Sequence, residues 1–231
     1  MKKLILFAAL LASAGIYAQK TVQDEHAQKR PARSFHAIEI SDGIDLFLSQ
    51  GTEESLAVSA STPEYREKIR TEVVNGVLKI FYDRDRGWNL NWGNRKLKAY
   101  VSVKTLDRLR ASGGSDVTID NQLNANTLSM EFSGGSDFKG TINAQNLSIS
   151  ASGGSDAYLS GRVEKLKLDA SGGSDIHGYD MISNYCTVET SGGSDIKITA
   201  NKEISGSASG GSDVYYKGSA SANTSKSGGS G

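Results

Sequence analysis

The sequence contains few of the residues that stabilise small exported proteins through cross-links and rigid turns. Its 231 residues include one cysteine, Cys186, and two prolines. A single cysteine excludes an internal disulfide, and its place in an alternating strand pattern predicts a buried, unreactive thiol. The 26 basic residues are balanced by 26 acidic ones. The chain therefore lacks the basic excess required for binding nucleic acid or an anionic membrane.

The only long apolar run lies at the N-terminus. Two lysines precede the apolar stretch 4–11, and small residues lead from it to Ala18. This pattern predicts a secretory signal peptide over residues 1–18, because the stretch is too short for a membrane span. No cysteine lies next to the cleavage position to carry a lipid, so we do not expect a lipoprotein. We expect a protein of the periplasm, cell surface or extracellular space. The polar residues 19–34 are predicted to be disordered.

Glycine is abundant, with 26 residues, and much of it belongs to a repeat. The pentapeptide Ser-Gly-Gly-Ser-Asp occurs six times, beginning at residues 112, 133, 152, 171, 191 and 209, and an imperfect copy occupies 227–231. Intervals of 18 to 21 residues between these positions are typical of stacked solenoid coils. Apolar residues alternate with polar ones on both sides, as in Leu147, Ile149 and Ala151. This alternation predicts strands with one buried face, which a flexible linker would not show.

Each pentapeptide is predicted to form a tight corner between two strands. Consecutive glycines can adopt positive φ, and Ser and Asp side chains hydrogen-bond nearby backbone groups in turns. A second, looser corner is expected in each coil, for example at 143–146. The glycines assigned to the tight corners are Gly113, Gly114, Gly134, Gly135, Gly153, Gly154, Gly172, Gly173, Gly192, Gly193, Gly210 and Gly211.

The aspartates of the pentapeptides allow a second interpretation, a ladder of calcium ligands. Glycine- and aspartate-rich repeats bind calcium in other solenoids, although with a period of nine residues. Calcium sites need six or more oxygen ligands, so we favour a role in the turn and predict no cofactor, with calcium as the alternative. The aspartates concerned are Asp116, Asp137, Asp156, Asp175, Asp195 and Asp213.

The region before the repeats, residues 35–105, predicts less regular β-structure. Asn75-Gly76 between two apolar runs is a strong hairpin signal, and 62–70 is expected to hold a short helical turn. Both tryptophans lie in the polar segment 83–95, where exposed aromatic, amide and guanidinium groups would suit ligand binding. The alternative is a hairpin tip whose indoles fold back onto the sheet. The candidate ligand-binding residues are Arg86, Trp88, Asn91, Trp92 and Arg95.

Several segments resemble a family of exported Bacteroidetes proteins named "Putative auto-transporter adhesin, head GIN domain". The matching segments are the serial pentapeptides and residues 35–40, 42–51, 75–80 and 101–103. The resemblance covers 35–220 and implies a right-handed, single-stranded β-helix similar in shape to pectin lyases. Its repeat coils would span 106–218 and be followed by a C-terminal tail, 219–231. It also implies cell adhesion and brings no catalytic residues with it.

The functional interpretation favoured by the sequence is a non-catalytic binding or adhesion module for a surface glycan or protein. The three histidines, His26, His36 and His177, are scattered, and no hydrolase, metalloprotease or nucleotide-binding motif occurs. The alternatives are a carbohydrate-active enzyme on a β-helix and a periplasmic envelope protein that binds a protein partner. No nucleic-acid partner and no membrane-spanning segment of the mature chain are expected, and the oligomeric state stays open.

Overall fold

A computed structural model describes residues 24–83, 94–229 and 231. Strands form almost all of the regular structure, and one short helix interrupts them. The elements before the repeats are β1 (Gln28–Arg30), β2 (Ala37–Ile40), β3 (Asp45–Gln50), β4 (Ser55–Ser59), α1 (Pro63–Glu67), β5 (Ile69–Val74), β6 (Val77–Tyr82) and β7 (Lys98–Val103). Those that follow are β8 (Arg108–Ser112), β9 (Val117–Ser133), β10 (Phe138–Ser152), β11 (Ala157–Ser171), β12 (Ile176–Thr190), β13 (Asp195–Gly210), β14 (Asp213–Lys217) and β15 (Ser221–Gly228).

The repeats form the predicted β-solenoid, with about six turns of stacked parallel coils. Leu147 of β10, for example, lies between Leu128 of β9 and Leu166 of β11. The second corner differs from the sequence expectation. The long strands β9–β13 run through it without ending, because the backbone keeps its ladder pairing with the coils on either side while it bends.

The core occupies the interior of the coils, and the alternating apolar residues point into it. Leu147, Ile149 and Leu166 are buried, as the strand phase predicts. Phe132 and Phe138 stack on each other there, with ring centroids 5.1 Å apart. The burial of these side chains supplies the main favourable contribution to the free energy of folding. One coil alone could not bury its apolar face, so the coils are stable only when they stack.

The hairpin and the helical turn predicted in the N-terminal region are both present. Strands β5 and β6 pair antiparallel around Asn75 and Gly76, which have φ of 51° and 76°. Helix α1 begins after Thr62, whose side chain accepts a hydrogen bond from the backbone N–H of Tyr65. Proline in the first helical turn has no N–H to satisfy, which favours the start of the helix at this point.

The solenoid extends further toward the N-terminus than the repeat itself. Strand β2 lies between β6 and β8, and β3 lies between β7 and β9, all in parallel register. Strands β2 and β3 therefore form one coil on top of the repeats, and β6 and β7 form the next. Strands β4 and β5 pair antiparallel with this outermost coil.

Both terminal segments contain strands that the sequence did not indicate. Within the polar segment 19–34, β1 pairs antiparallel with β4. Within 219–231, β15 pairs in parallel with β13. Both strands lie at an edge of the sheet, where backbone pairing rather than side-chain burial holds them in place. Such strands do not need the alternation of apolar and polar residues that predicted the other strands.

Cys186 is buried in β12, the fourth of the five long strands, as its strand phase predicts. Burial raises the pKa of its thiol to about 12. We expect no reaction of the native protein with a maleimide at pH 8 and stoichiometric labelling in denaturant, because the thiolate is the reactive form. Labelling of the native protein at the rate of a free thiol, followed by mass spectrometry, would contradict this burial.

Candidate binding face

The second serine of each pentapeptide is buried, and from the first copy to the fifth its hydroxyl joins neighbouring coils. The Oγ of Ser136 accepts a hydrogen bond from the backbone N–H of Ser115 at 2.9 Å, and the Oγ of Ser155 accepts one from Ser136 at 3.0 Å. Further along, the Oγ of Ser174 accepts from two backbone N–H groups, those of Ser155 and Gly154. The hydroxyls thus supply acceptors that the strand ladder does not provide at a corner. These second serines, all of them fully buried, are Ser115, Ser136, Ser155, Ser174, Ser194 and Ser212.

The aspartates form a second ladder, which we call the aspartate column (Asp116, Asp137, Asp156, Asp175, Asp195 and Asp213). Oδ1 of each of the first five carboxylates accepts the backbone N–H of the aspartate in the following coil, at distances from 2.9 to 3.3 Å. The serine ladder has its acceptor on the following coil, whereas the aspartate ladder has it on the preceding coil. Each corner is therefore held from both sides.

The first glycines of the corners stack directly on one another, whereas the second glycines face open space. Gly153 and Gly154 both have positive φ, at 67° and 79°. A Cβ on Gly153 would lie 3.2 Å from the backbone nitrogen of Gly134, whereas one on Gly154 would meet nothing within 4 Å. Ten of the twelve corner glycines have positive φ; the exceptions are Gly193 and Gly211.

This difference predicts unequal effects for two neighbouring substitutions. Gly154→Ala should lower the free energy of unfolding by about 1 kcal/mol through backbone strain alone. Gly153→Ala should cost roughly 1 kcal/mol more, because the coil above must also shift. Urea unfolding followed by circular dichroism measures both, with Ser150→Ala on the outer face as the reference. Equal losses for the two glycine variants would contradict the stacked corner.

Calcium should stabilise the protein only slightly. Among the described residues no group of three or more His, Cys, Asp or Glu side chains is arranged to hold a metal ion. A ligand at 100 times its dissociation constant would contribute about 2.7 kcal/mol, so a specific site would shift the melting temperature by several degrees. A large, saturable shift in excess calcium that Asp156→Asn and Asp175→Asn abolish would establish the calcium interpretation instead.

A diverged corner in the N-terminal region was missed by the sequence reasoning. Residues 41–45 read Ser-Asp-Gly-Ile-Asp, and Asp42 and Gly43 have φ of 69° and 73°, close to the values of Gly113 and Gly114. The backbone N–H of Ile44 donates to the Oγ of Ser115, which continues the serine ladder. The spacing of Ser, Gly and Asp is that of the pentapeptide and is the signal that could have revealed it.

Asp45 occupies the equivalent position at this corner and extends the line of the aspartate column by one coil, to seven carboxylates. Burial raises the pKa of its carboxyl, and the negative charge of Asp116 raises it further, although a hydrogen bond from the Asp116 backbone and the charge of Lys98 act in the opposite direction. The seven carboxylates therefore follow one edge of the solenoid.

Strands β6 and β7 bring the outermost coil to the point where the other coils have their corners. Ile80 of β6 pairs with Ile40, and Lys98 of β7 pairs with Asp45, so the end of β6 and the start of β7 flank the corner of residues 41–45. Of the five candidate ligand-binding residues, Arg95 is described and has its guanidinium 5.0 Å from the ring centroid of Tyr82. The other four, Arg86, Trp88, Asn91 and Trp92, lie outside the described residues.

An open cavity of about 450 Å³ lies beside the start of β7. The Tyr100 hydroxyl donates to the Asp24 carboxylate at 2.8 Å. Burial alone would raise the pKa of Asp24, but hydrogen bonds from Tyr100 and Ser59 hold it below its usual value. Burial and the bond to Asp24 raise the pKa of the Tyr100 phenol. The cavity is lined by Asp24, Glu25, His26, Ser59, Ala60, Ser61, Lys96, Lys98 and Tyr100.

A second column begins at this cavity and runs beside the aspartate column, two residues further along each strand. Phe47 and Tyr100 stack with ring centroids 5.2 Å apart, and Tyr158 and His177 stack at 4.6 Å. The Nζ of Lys197 lies 6.0 Å from the ring centroid of Tyr215. This aromatic column consists, in the order of its paired strands, of Tyr100, Phe47, Thr118, Lys139, Tyr158, His177, Lys197 and Tyr215.

Comparison with solved structures gives the same fold. A putative adhesin from Bacteroides fragilis NCTC 9343 shares 22% identity over 88% of this chain and 94% of that chain, with a TM-score of 0.80. A putative lipid binding protein from Parabacteroides distasonis ATCC 8503 shares 17% identity over 89% and 94% of the two chains, with a TM-score of 0.70. A putative adhesin from Parabacteroides merdae ATCC 43184 shares 16% over 89% and 93%, at 0.64.

Comparison with sequences gives the family. Among curated proteins none matches the chain. The model of one family matches residues 34–220, which include the N-terminal coils, the segment between β6 and β7 and all six complete pentapeptides. No helix in the described ranges has the length and apolar character of a membrane span. The chain belongs to the family described as "Putative auto-transporter adhesin, head GIN domain".

Proposed function

We propose that the protein is an exported, non-catalytic adhesion module that recognises a surface glycan or protein through the segment 83–95. Its signal peptide would direct it to the periplasm or the cell surface. The family name supports an adhesion role, and the rigid solenoid supports a role as a scaffold that holds a recognition segment in place.

The observation that carries this proposal is the position of β6 and β7, the strands on either side of the segment, at the end of the coil stack. The corners of the repeat coils are small, nearly identical and closed by two hydrogen-bond ladders, so they offer few distinctive groups to a partner. In the outermost coil, the residues that link β6 to β7 are more numerous and include both tryptophans of the protein. Trp and Arg are frequent anchors of interfaces, and a cavity lies beside Lys96 and Lys98 near the start of β7.

The test is the double variant Trp88→Ala/Trp92→Ala of the mature protein, screened on a glycan array and in pull-downs from cell envelopes. We expect binding to the wild-type ligand to fall at least tenfold, while the free energy of unfolding changes by less than about 0.5 kcal/mol. Tyr185→Ala is the matched control, because Tyr185 is an exposed aromatic residue on β12, outside the segment 83–95. Unchanged binding, or unfolding of the double variant, would overturn the assignment of the segment.

A further inference from the structure

We propose that the face formed by the aspartate column and the aromatic column binds a neutral polysaccharide lying along the solenoid axis. The inference rests on the proposed binding function and adds a ligand class and a second surface. The two assignments rest on different residues, so they can fail independently.

The aromatic column leaves large rings exposed to solvent, although burying them would favour folding. Tyr158 and Tyr215 are each 45% exposed, and both point away from the core. Between them lie His177 and Lys197, which contact the two rings. A row of exposed aromatic side chains with polar tips gives a ligand both apolar contact area and hydrogen bonds. Such a row marks an interaction surface.

The polar groups of the face match hydroxyl groups better than they match ions of either sign. The carboxylates of the aspartate column are acceptors, whereas Lys139, Lys197 and the hydroxyl of Tyr158 can donate. The hydroxyl of Tyr215 already donates to Oδ2 of Asp213, at 3.1 Å. Sugar hydroxyls both donate and accept, so they can pair with either column. A polyanion would be repelled by the aspartates, and a polycation would meet the lysines of the neighbouring column.

The repeat of the face also suits a polymer. The coils place one carboxylate and one side chain of the aromatic column in every layer, about 4.8 Å apart. A chain of similar sugar units can therefore make similar contacts in successive layers. Many weak contacts of this kind add up, because each bound unit holds the next one near its own site.

The experiment is affinity electrophoresis of the mature protein in gels that contain soluble polysaccharides. The neutral probes are hydroxyethyl cellulose, xyloglucan, mannan and dextran, and the charged probes are polygalacturonate and poly-lysine. We expect retardation by at least one neutral probe and at least a tenfold weaker affinity for Tyr158→Ala/Tyr215→Ala. Tyr185→Ala, which removes a tyrosine that is 39% exposed elsewhere on the coils, should behave as the wild type. Melting curves check that all variants fold.

Each other outcome overturns the inference. Retardation by poly-lysine alone would assign the face to basic partners, and retardation by polygalacturonate alone would contradict the charge argument. A neutral glycan whose binding survives Tyr158→Ala/Tyr215→Ala but is lost in Trp88→Ala/Trp92→Ala would leave the proposed function intact and remove this face from it. Binding of a protein partner with no glycan retardation would have the same consequence.

Discussion

Gly206→Ala should lower the free energy of unfolding by about 3 kcal/mol or more, among the largest losses expected for a single methyl group in this protein. Gly206 lies in β13 opposite Val188 of β12, with φ of 143°, a conformation that residues with a side chain rarely adopt. A Cβ at this position would lie 1.7 Å from the carbonyl oxygen of Val188. Because that oxygen belongs to the backbone of the neighbouring coil, no side-chain rotation can relieve the overlap.

The control for this prediction is Gly193→Ala, at a corner glycine that does not have positive φ and has nothing within 4 Å of a Cβ. It should change the free energy of unfolding by less than about 1 kcal/mol. Urea unfolding gives the totals, and hydrogen exchange should show that the loss in Gly206→Ala is concentrated in β12–β15, since coils are stabilised mainly by their neighbours. Similar stability of the two variants would show that the close approach at Gly206 is not present in solution.

Ser174→Ala should cost roughly 2–4 kcal/mol, because it leaves two backbone N–H groups without their acceptor. The Oγ of Ser174 accepts from Gly154 at 3.1 Å and from Ser155 at 3.0 Å, and the side chain is fully buried. Water cannot readily replace the hydroxyl in so closely packed a corner, so the desolvation cost of the donors is expected to appear in full.

A series of three serine variants tests whether the lost hydrogen bonds of the serine ladder cause this destabilisation. Ser155→Ala should cost less than Ser174→Ala, since the Oγ of Ser155 accepts from Ser136, one donor rather than two. Ser150→Ala, on the outer face of the same region, should cost little. Thermal and urea unfolding of the three variants gives the ranking. If Ser174→Ala is no more destabilising than Ser150→Ala, the buried hydroxyls are not needed as acceptors.

The sequence by itself determined the repeat architecture. The period of the pentapeptides gave the coils, and the alternation around Leu147 and Leu166 gave the buried face, because side chains in a strand point to opposite sides. The paired glycines indicated the tight corners, and Asn75-Gly76 indicated the hairpin. These features are local, since each depends on residues a few positions apart, and local patterns can be read without knowing which coil packs on which.

Only the tertiary structure decided how the coils are ordered and which of their groups meet. The chain forms the coil of β2 and β3, passes outward to β6 and β7, and returns to β8 on the other side, so neighbours in the stack are not neighbours in sequence. This order places the ends of β6 and β7 beside residues 41–45, and it makes those residues part of the column of corners. Within the repeats, backbone pairing aligns Tyr158, His177 and Tyr215 in one column. Residues of different coils come together through backbone pairing between strands that lie about 20 residues or more apart in the sequence. Short-range sequence patterns do not predict such contacts.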